Sequence, residues 1–511
     1  MMYNQTKTPR KPDTKSHEGG ASYKLDPKLE LLSILATGFG NQFYERLSDR
    51  ETRLDNLVKE ISKKDPTFVA KALVYTRSVT GQRSATHFGS NSLTPYLSGN
   101  ALGKRFFSKR NKKSNTGGII YRLDDMLEIF SCYKHFNPGK PMPNSMKRGF
   151  KMALEEADSY ELAKYQGKNK NTSLIDIVNL VHPTPKPEMQ ETFRLLMEGK
   201  LKQHNTVENK NTSSGIEISK KVKEGKITKE EAKTELKEKK EENYAELILE
   251  GKIGYLALLR NLRNLLKNSD NNEVIDAACK FLTNKKRVRK SLVFPHQIDL
   301  ALEMMLLEGA DVPTKVKKSL DTAYNLAIPN LTELFPYGKT AVVYDSSGSM
   351  TFQSANINGK RSPKAPLKKA ALMAATLGKG VDAEIFHFAS TCRKVDYNPL
   401  DSINTISNLC RSKAGEVGIG TNFDSVFNKL NGRFDRVFII TDLQGDRLLE
   451  KWKYGNTHIY SIDLCGYGST VFKPGEKVYQ LFGYSSETYE LIKRVEVDPK
   501  ALLKDVESIV I

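Results

Sequence analysis

The spacing of apolar residues along the chain changes once, near residue 338. From about Leu29 to Leu334, apolar residues recur every three or four positions, which is typical of amphipathic helices. These segments are short and are separated by Gly, Pro or Asn, so the pattern indicates stacked helical pairs, an α-solenoid. The clearest predicted helices are Arg53–Lys63, Pro66–Val79, Arg122–Tyr133, Asn144–Ala157, Ser173–Leu180, Glu188–Met197 and Gly254–Leu266.

After Gly338 the chain alternates between short apolar runs, rich in β-branched and aromatic residues, and helical stretches such as Pro366–Leu377. This alternation predicts a mostly parallel sheet that is covered on both faces, a doubly wound α/β domain. Ligands of such sheets bind at the carboxyl ends of the strands. The predicted strands are Ala341–Tyr344, Ala383–Phe388, Arg436–Thr441 and His458–Ile462.

The chain is therefore predicted to be a multidomain protein. Residues 1–26 are polar and basic and are expected to form a disordered leader. Residues 27–337 form the helical part and residues 338–511 the α/β domain. Within the helical part, residues 203–243 are crowded with Lys and Glu, and Thr228 with Glu231 forms a capping-box pattern. This segment is predicted to be a solvated, helical surface insert.

The net charge of +20 is concentrated in the helical part. Residues 339–511 hold 23 basic and 19 acidic residues, whereas residues 1–338 hold 57 and 41. A basic excess of this size favours polyanionic partners, most commonly nucleic acid. Because the charges of the 203–243 insert nearly balance, that segment is not expected to contribute a binding surface.

The cysteines indicate a reducing compartment. The five cysteines are scattered and show no spacing typical of zinc ligands or of a disulfide framework. The chain also has no run of 18 uncharged apolar residues and no apolar core of a secretory signal near its start. These observations predict a cytoplasmic protein without a membrane segment.

Oxygen-bearing side chains follow three predicted elements of the α/β domain. Asp345, Ser347 and Ser349 lie in the sequence VVYDSSGSM, directly after the first strand. Thr421 lies in the Gly-rich loop GIGTNFDS, and Asp442 ends the apolar strand VFIITD. Two carboxylates and three hydroxyls are hard donors that suit Mg²⁺ and leave room for water or a partner's oxygen. Alternatively, the first triplet is an Asx-turn, or the metal site is intact but purely structural.

This order of residues resembles the metal-ion-dependent adhesion site of von Willebrand factor A domains, with all five positions present. The resemblance implies that Asp345, Ser347 and Ser349 form the first loop of the site, Thr421 the second and Asp442 the third. It also implies that the metal ion binds an acidic group of a partner.

The helical part resembles the TROVE domain of the Ro ribonucleoproteins, and the resemblance extends over residues 27–511. The insert at 203–243 has no counterpart in it. The matching segments, in the family's order, are KALVYTRSVTGQRSA (71–85), NSMKRGFKMAL (144–154), LAKYQGKNK (162–170), LVHP (180–183), YLALLRNLRNL (255–265) and FPHQIDLALEMM (294–305).

The resemblance implies a monomeric ring of HEAT-like helical repeats that is closed by the A domain. Y RNAs or other small non-coding RNAs would bind the outer surface of the ring, and single-stranded 3′ ends of misfolded RNAs would enter its hole. Some members of the family tether RNA to an exoribonuclease. A basic hole neutralises phosphates without reading sequence.

Candidate RNA-binding residues follow from the same segments. Lys164, Lys168 and Lys170 lie close together, with Tyr165 available for stacking on a base. His182 matches an RNA-contacting histidine of the family. Alternatively, the lysines form an ordinary solvated loop and the histidine is a packed or capping residue.

Four further basic residues are candidates for RNA contact. Lys147, Arg148 and Lys151 lie on one predicted helix, where they alternatively form its solvated face. Arg83 follows Gly81 and alternatively binds helix carbonyls.

Three functions remain after these observations. The favoured one is a non-enzymatic RNA-binding ring that acts in RNA quality control or as a tether to an exoribonuclease. The alternative is a metal-dependent protein-adhesion module whose A domain captures an acidic partner. A metal-dependent nuclease is disfavoured, because no second acidic cluster and no positioned general base accompany Asp345 and Asp442.

Overall fold

The computed structural model describes residues 11–511 except 40–41, 100, 168–170, 202–206, 269–271, 292, 294–296, 300, 303–304, 306–310, 328–334, 336, 353–365, 447–456, 474 and 476. The chain forms two compact units. The first combines the residues up to Tyr96 with Asn330–Ile509, and the second combines Leu97–Pro329 with the last two residues. The sequence boundaries at residues 27 and 338 stay a prediction.

The strands of the described residues are β1 (Thr14–Lys15), β2 (Ala21–Lys24), β3 (Arg110–Asn111), β4 (Thr116–Gly117), β5 (Thr340–Asp345), β6 (Glu384–Phe388), β7 (Cys392–Val395), β8 (Arg436–Thr441), β9 (His458–Asp463), β10 (Ser469–Thr470) and β11 (Val478–Phe482).

The α-helices of the described residues in the first unit are α1 (Pro27–Thr37), α2 (Leu47–Ser62), α3 (Pro66–Ser78), α4 (Ser84–Leu93), α17 (Gly348–Thr351), α18 (Pro366–Gly380), α19 (Ile403–Ser412), α20 (Phe423–Leu430), α21 (Ser486–Ile492) and α22 (Ala501–Glu507). Those of the second unit are α5 (Ala101–Phe106), α6 (Leu123–Phe136), α7 (Asn144–Glu155), α8 (Ser159–Lys164), α9 (Leu174–Val181), α10 (Gln190–Met197), α11 (Val207–Lys223), α12 (Lys229–Leu249), α13 (Tyr255–Asn268), α14 (Asn272–Leu282), α15 (Lys285–Ser291) and α16 (Thr314–Ala327).

The first unit is built on a six-stranded sheet with the order β11-β9-β8-β5-β6-β7. Its neighbouring strands are parallel, except that β6 and β7 are antiparallel. The chain leaves β5 toward β6 on one side, and β8 lies on the other side, so the topological switch point is between β5 and β8. A crevice opens at the carboxyl ends of strands at such a point.

The core of this unit lies against strands that are buried along nearly their whole length. All six residues of β5 are buried, and so are five of the six residues of β8. Helix α18 packs against β5, α19 packs against α18, and α20 packs against β6 and β7. The predicted strands and the predicted helix at 366–377 are present in the structure.

The N-terminal segment also belongs to this unit. Strand β2 pairs antiparallel with β1 and with β10, so Thr470 lies opposite Tyr23. Residues 1–10 lie outside the described residues, but for residues 11–26 the prediction of a disordered leader is wrong. The segment is ordered because Ser16 and Tyr23 are buried in contacts with residues more than 400 positions away, which a local reading of polarity does not reveal.

The helices α1–α4 continue this packing. Helix α1 packs against β11, and α3 packs against α22. On α2, the guanidinium of Arg50 is fully buried and donates hydrogen bonds to the carbonyl oxygens of Gly38 (2.8 Å) and Gly466 (3.1 Å). Hydrogen bonds from a charged donor to buried carbonyls are among the stronger ones, so Arg50 joins α2 to the loop after β9.

A partly buried carboxylate on α21, that of Glu487, predicts a pH dependence of stability. Burial, followed by the charge of Asp505, raises the pKa of Glu487 to about 7 from its usual 4.5. The folded chain therefore holds this proton more tightly than the unfolded chain does, and the free energy of unfolding falls as pH rises from about 4.5 to about 7. The whole shift corresponds to about 3 kcal/mol.

Replacing Glu487 by Gln removes this titration. Glu487→Gln is expected to flatten the stability profile between pH 4.5 and 7 and to leave the variant more stable than the wild type at pH 8. Glu60→Gln, a change of an exposed carboxylate on α2 of the same unit, is the control. Urea unfolding across this pH range measures both, and an unchanged profile for Glu487→Gln contradicts the prediction.

Apart from the short antiparallel pair β3–β4, the described residues of the second unit form mainly helices, which pack on near neighbours in sequence. The packed pairs include α5 with α7, α7 with α9, α11 with α12, α13 with α14, and α14 with α16. Most of the helices lie within a few residues of their predicted bounds. The predicted charged helix carries its capping box, in which Glu231 N donates to Thr228 Oγ1 and Thr228 N donates to Glu231.

Two further observations concern the whole chain. None of the five cysteines, all of which the structure describes, forms a disulfide bond. Throughout the part of the chain that the structure describes, every helix is too short or too polar to cross a bilayer.

Candidate metal centre and nucleic-acid interface

The first loop of the candidate metal centre follows β5. Asp345, the last residue of the strand, accepts hydrogen bonds from Ser347 N (2.9 Å) and from Thr441 Oγ1 (2.6 Å). The Ser347 and Ser349 hydroxyls lie 3.3 Å apart. All three predicted side chains of this loop are buried. The loop therefore holds one carboxylate and two hydroxyls in a fixed arrangement at the switch point.

The second and third loops converge on the first. Ile419 O accepts a hydrogen bond from Gly348 N (2.9 Å), which joins the loop that carries Thr421 to the first loop. Asp442 follows β8, and its Oδ1 accepts a hydrogen bond from Gln444 N (3.1 Å). Thr421 and Asp442 are both almost fully buried. The structure thus brings together the five residues that the sequence singles out.

The electrostatics of these residues fit a cation. Burial raises the pKa of Asp345 to about 6, and burial together with the charge of Asp345 raises the pKa of Asp442 well above its usual range. The Oδ2 atom of Asp442 is buried and has no hydrogen-bond partner among the described residues. An unsatisfied buried carboxylate oxygen is costly unless a cation neutralises it. The donors are all hard oxygens, which suit Mg²⁺.

Sequence reasoning missed two residues of this site. Tyr44, on the segment before α2, and Glu18, on the turn between β1 and β2, are hydrogen-bonded to each other. Glu18 Oε1 also accepts a hydrogen bond from Thr421 Oγ1 (3.5 Å). No local motif marks either residue, because each reaches the site only through contacts distant in sequence.

Sequence reasoning also missed Asp463, although its position at the end of an apolar strand is visible in the sequence. It ends β9 as Asp442 ends β8, and it lies opposite Thr441 in the sheet. Its Oδ1 accepts hydrogen bonds from Cys465 N (2.9 Å) and Gly466 N (2.8 Å), which fixes the turn after the strand.

In the second unit, Lys147, Arg148 and Lys151 lie on the side of α7 opposite its buried residues. Lys151 forms an ion pair with Glu155 (3.8 Å), and Glu155 accepts a hydrogen bond from Thr184 N (2.8 Å). This contact places the basic face of α7 beside the loop that begins at His182. His182 is exposed and has a left-handed backbone (φ 47°) at the end of α9.

A second basic group surrounds Tyr165, the residue that ends α8. The Lys164 ammonium lies 5.5 Å from the centre of its ring, and the Arg122 guanidinium lies 5.3 Å from it. Arg122 was missed because its sequence signal is that of a helix start. Lys168 and Lys170 lie outside the described residues. Arg83 belongs to the first unit, where it precedes α4 and its carbonyl accepts a hydrogen bond from Thr86 Oγ1 (2.6 Å).

Helix α15 carries the densest positive charge of the described residues in the second unit. Its sequence is KKRVRKS, and only Val288 is buried. Arg287 packs over the Phe281 ring at 4.0 Å and donates a hydrogen bond to Gly251 O (3.2 Å). The exposed cations are Lys285, Lys286, Arg287, Arg289 and Lys290. Sequence reasoning missed this run, although five cations within six positions are visible in the sequence.

The fold and the candidate metal centre define the class of the protein as a helical-repeat chain with an A-type α/β domain. A family model described as the TROVE domain matches residues 225–306, a range that begins inside the charged segment 203–243. No curated protein matches the chain.

The fold is similar to that of the Ro protein (RSR) of Deinococcus radiodurans in its crystal structure. The similarity has a TM-score of 0.57 at 15% sequence identity and covers 92% of this chain and 100% of that one. The TROVE match and this shared fold together support a Ro family protein. The predicted fold class, a helical solenoid followed by an A-type domain, is confirmed.

Proposed function

We propose that this chain is a non-enzymatic RNA-binding protein of the Ro type. Its proposed partners are Y RNA-like small non-coding RNAs and the single-stranded 3′ ends of misfolded RNAs, bound in the cytoplasm by a ring-shaped monomer. It would act in RNA quality control or as a tether to an exoribonuclease. The TROVE match, which covers α12–α15, supports the RNA-binding part of this proposal.

The observation that carries the proposal is the exposed positive charge of α15. Five of its seven residues are cations, and all five are exposed. Cations that neutralise phosphates release counterions, so they bind RNA without reading its sequence. The basic face of α7 and the group around Tyr165 add cations and an aromatic ring, a combination that suits single-stranded RNA.

Removing the charge of α15 is expected to weaken RNA binding and its salt dependence. The variant keeps Arg287, because this residue packs on Phe281. It changes the other four cations of α15 to Gln: Lys285, Lys286, Arg289 and Lys290. For single-stranded RNA, each lost phosphate contact lowers the slope of log affinity against log salt by about 0.7, so four lost contacts lower it by about 3.

The matched control removes the same charge elsewhere. Four exposed lysines lie on or beside α11 and α12, namely Lys220, Lys223, Lys226 and Lys229. Of these, Lys220 and Lys226 form ion pairs with Glu224. Changing these four to Gln is expected to leave the slope unchanged. Filter binding across a salt series measures the slope of log affinity against log salt for both variants. Equal slopes for the two variants would contradict the proposal that α15 binds RNA.

The kind of RNA is tested separately. A structured RNA with a single-stranded tail is expected to be retained more tightly than a plain duplex of equal length. Equal retention of the two would exclude selection by single-stranded ends. Release of nucleotides in the presence of Mg²⁺ would overturn the non-enzymatic part of the proposal.

We also propose that Asp345, Ser347, Ser349, Thr421 and Asp442 hold a divalent cation, Mg²⁺ by the hardness of the donors. When bound, the cation supplies positive charge that neutralises the buried carboxylates and accepts a further oxygen ligand. The unsatisfied Oδ2 of Asp442 supports this site. A second candidate function, capture of an acidic partner through the cation, rests on the same residues.

A further inference from the structure

The turn between β1 and β2 lies on the third loop of the candidate metal centre. Ser16 Oγ and Gly20 N both donate hydrogen bonds to Gly445 O, at 2.5 and 3.2 Å. His17 N donates to Gln444 Oε1 at 2.8 Å. Gln444 and Gly445 lie two and three residues after Asp442, so residues 16–20 are held at the rim of the site by three hydrogen bonds.

Aromatic contacts hold the same turn from the other side. The His17 ring stacks on the Tyr44 ring, with centroids 5.3 Å apart and an angle of 2° between the planes. It also meets the Tyr467 ring edge-on at 5.1 Å. Because contacts from both sides restrict the turn, the side chain of Glu18 has a defined direction.

That direction is toward the metal centre. The Glu18 carboxylate accepts hydrogen bonds from the Thr421 hydroxyl at 3.5 Å and from the Tyr44 hydroxyl. Glu18 therefore lies one hydrogen bond from Thr421, which is one of the five candidate ligands.

Three negatively charged side chains, those of Glu18, Asp345 and Asp442, belong to the candidate metal centre and its rim. The negative charge of Glu18, which is half-buried, repels that of Asp345, and Asp345 in turn repels Asp442; both aspartates are fully buried. A cation beside such carboxylates offsets their repulsion. The buried, unsatisfied Oδ2 of Asp442 is independent evidence that a cation belongs there.

We propose that Glu18 is the chain's own carboxylate ligand for the cation of this site. The inference rests on the proposed metal centre. In this arrangement the N-terminal hairpin occupies the position that an acidic group of a partner would take. A partner's carboxylate then binds only after the turn at residues 16–20 has been displaced, so the site is self-occupied in the isolated protein.

Glu18→Gln in the full chain tests the inference, because the amide keeps the size and the hydrogen-bonding oxygen but loses the charge. The affinity for Mg²⁺, measured by calorimetry, is expected to fall at least about tenfold, the lower end of what loss of an outer-shell partner costs. Glu60→Gln, an exposed change on α2, is expected to bind Mg²⁺ like the wild type.

Hydrogen exchange gives a second readout. Mg²⁺ is expected to slow exchange of residues 16–24 in the wild type and to have no effect on them in Glu18→Gln. In Glu18→Ala, free acetate is expected to restore part of the lost Mg²⁺ affinity, while the wild type does not respond to acetate.

The outcomes separate the two proposals. If the wild type binds Mg²⁺ and Glu18→Gln binds it equally tightly, Glu18 is not a ligand, although the metal centre stands. If neither the wild type nor Glu60→Gln binds Mg²⁺, the metal centre itself fails and the inference fails with it.

Discussion

Replacing Arg50 by Met is expected to destabilise the first unit by about 3–5 kcal/mol, the usual cost of breaking a buried charged network by removing one partner. Arg50 is fully buried, and its guanidinium donates to Gly38 O, Gly466 O, the Thr37 hydroxyl and Glu45. Methionine fills a similar volume but donates no hydrogen bond, so these acceptors lose a partner.

The loss is not fully compensated by Arg53. This second arginine also binds Glu45 and donates to Gly466 O at 2.7 Å, but it does not contact Gly38. Arg46→Met is the matched control, since Arg46 is exposed at the start of the same helix. Surface changes of this kind are usually worth less than about 0.5 kcal/mol.

Urea unfolding followed by circular dichroism measures the loss, and hydrogen exchange of α1 and α2 locates it. Faster exchange in both helices of Arg50→Met, with Arg46→Met unchanged, is the expected result. If Arg50→Met is as stable as Arg46→Met, the network contributes little and the first unit is held by apolar packing alone.

The second large effect concerns the metal centre. Mg²⁺ at 100 times its dissociation constant is expected to stabilise the wild type by about 2.7 kcal/mol. Asp345→Ala is expected to abolish this stabilisation, because it removes a carboxylate of the first loop together with the acceptor of Ser347 N and Thr441 Oγ1.

Thermal unfolding with Mg²⁺ and with a chelator measures the effect, and Asp424→Ala is the control. Asp424 lies on α20, three residues after Thr421, and is outside the candidate ligand set. RNA affinity of Asp345→Ala is expected to equal that of the wild type. A Mg²⁺ effect that persists in Asp345→Ala would contradict the proposed site.

The sequence predicted those parts of the fold that have a local signal. Strands β5 and β8 are continuous apolar runs, and the three-residue and four-residue spacing of apolar positions marked α7 and α13. Strand β7 was missed because its central residues are the exposed Arg393 and Lys394 on a sheet edge, which leaves no apolar run.

The proximity of the five candidate ligands was predictable for a similar reason. These five residues directly follow strands or lie in a Gly-rich loop, and the carboxyl ends of parallel strands meet at one edge of a sheet. Glu18 was not predictable. The turn that carries it is polar, and its order depends on contacts with Gln444 and Gly445, more than 400 residues later.

The first unit is assembled from two segments that are far apart in the chain, and this affects how it folds during synthesis. Residues up to Tyr96 pack with residues from Asn330 onward. At a synthesis rate of 5–20 residues per second, the roughly 230 residues between them take on the order of 10–50 s to emerge. During that interval Arg50 and the apolar side of α1 lack their contacts with the C-terminal part of the unit. We therefore expect the nascent N-terminal helices to be the part of the chain that a chaperone protects most.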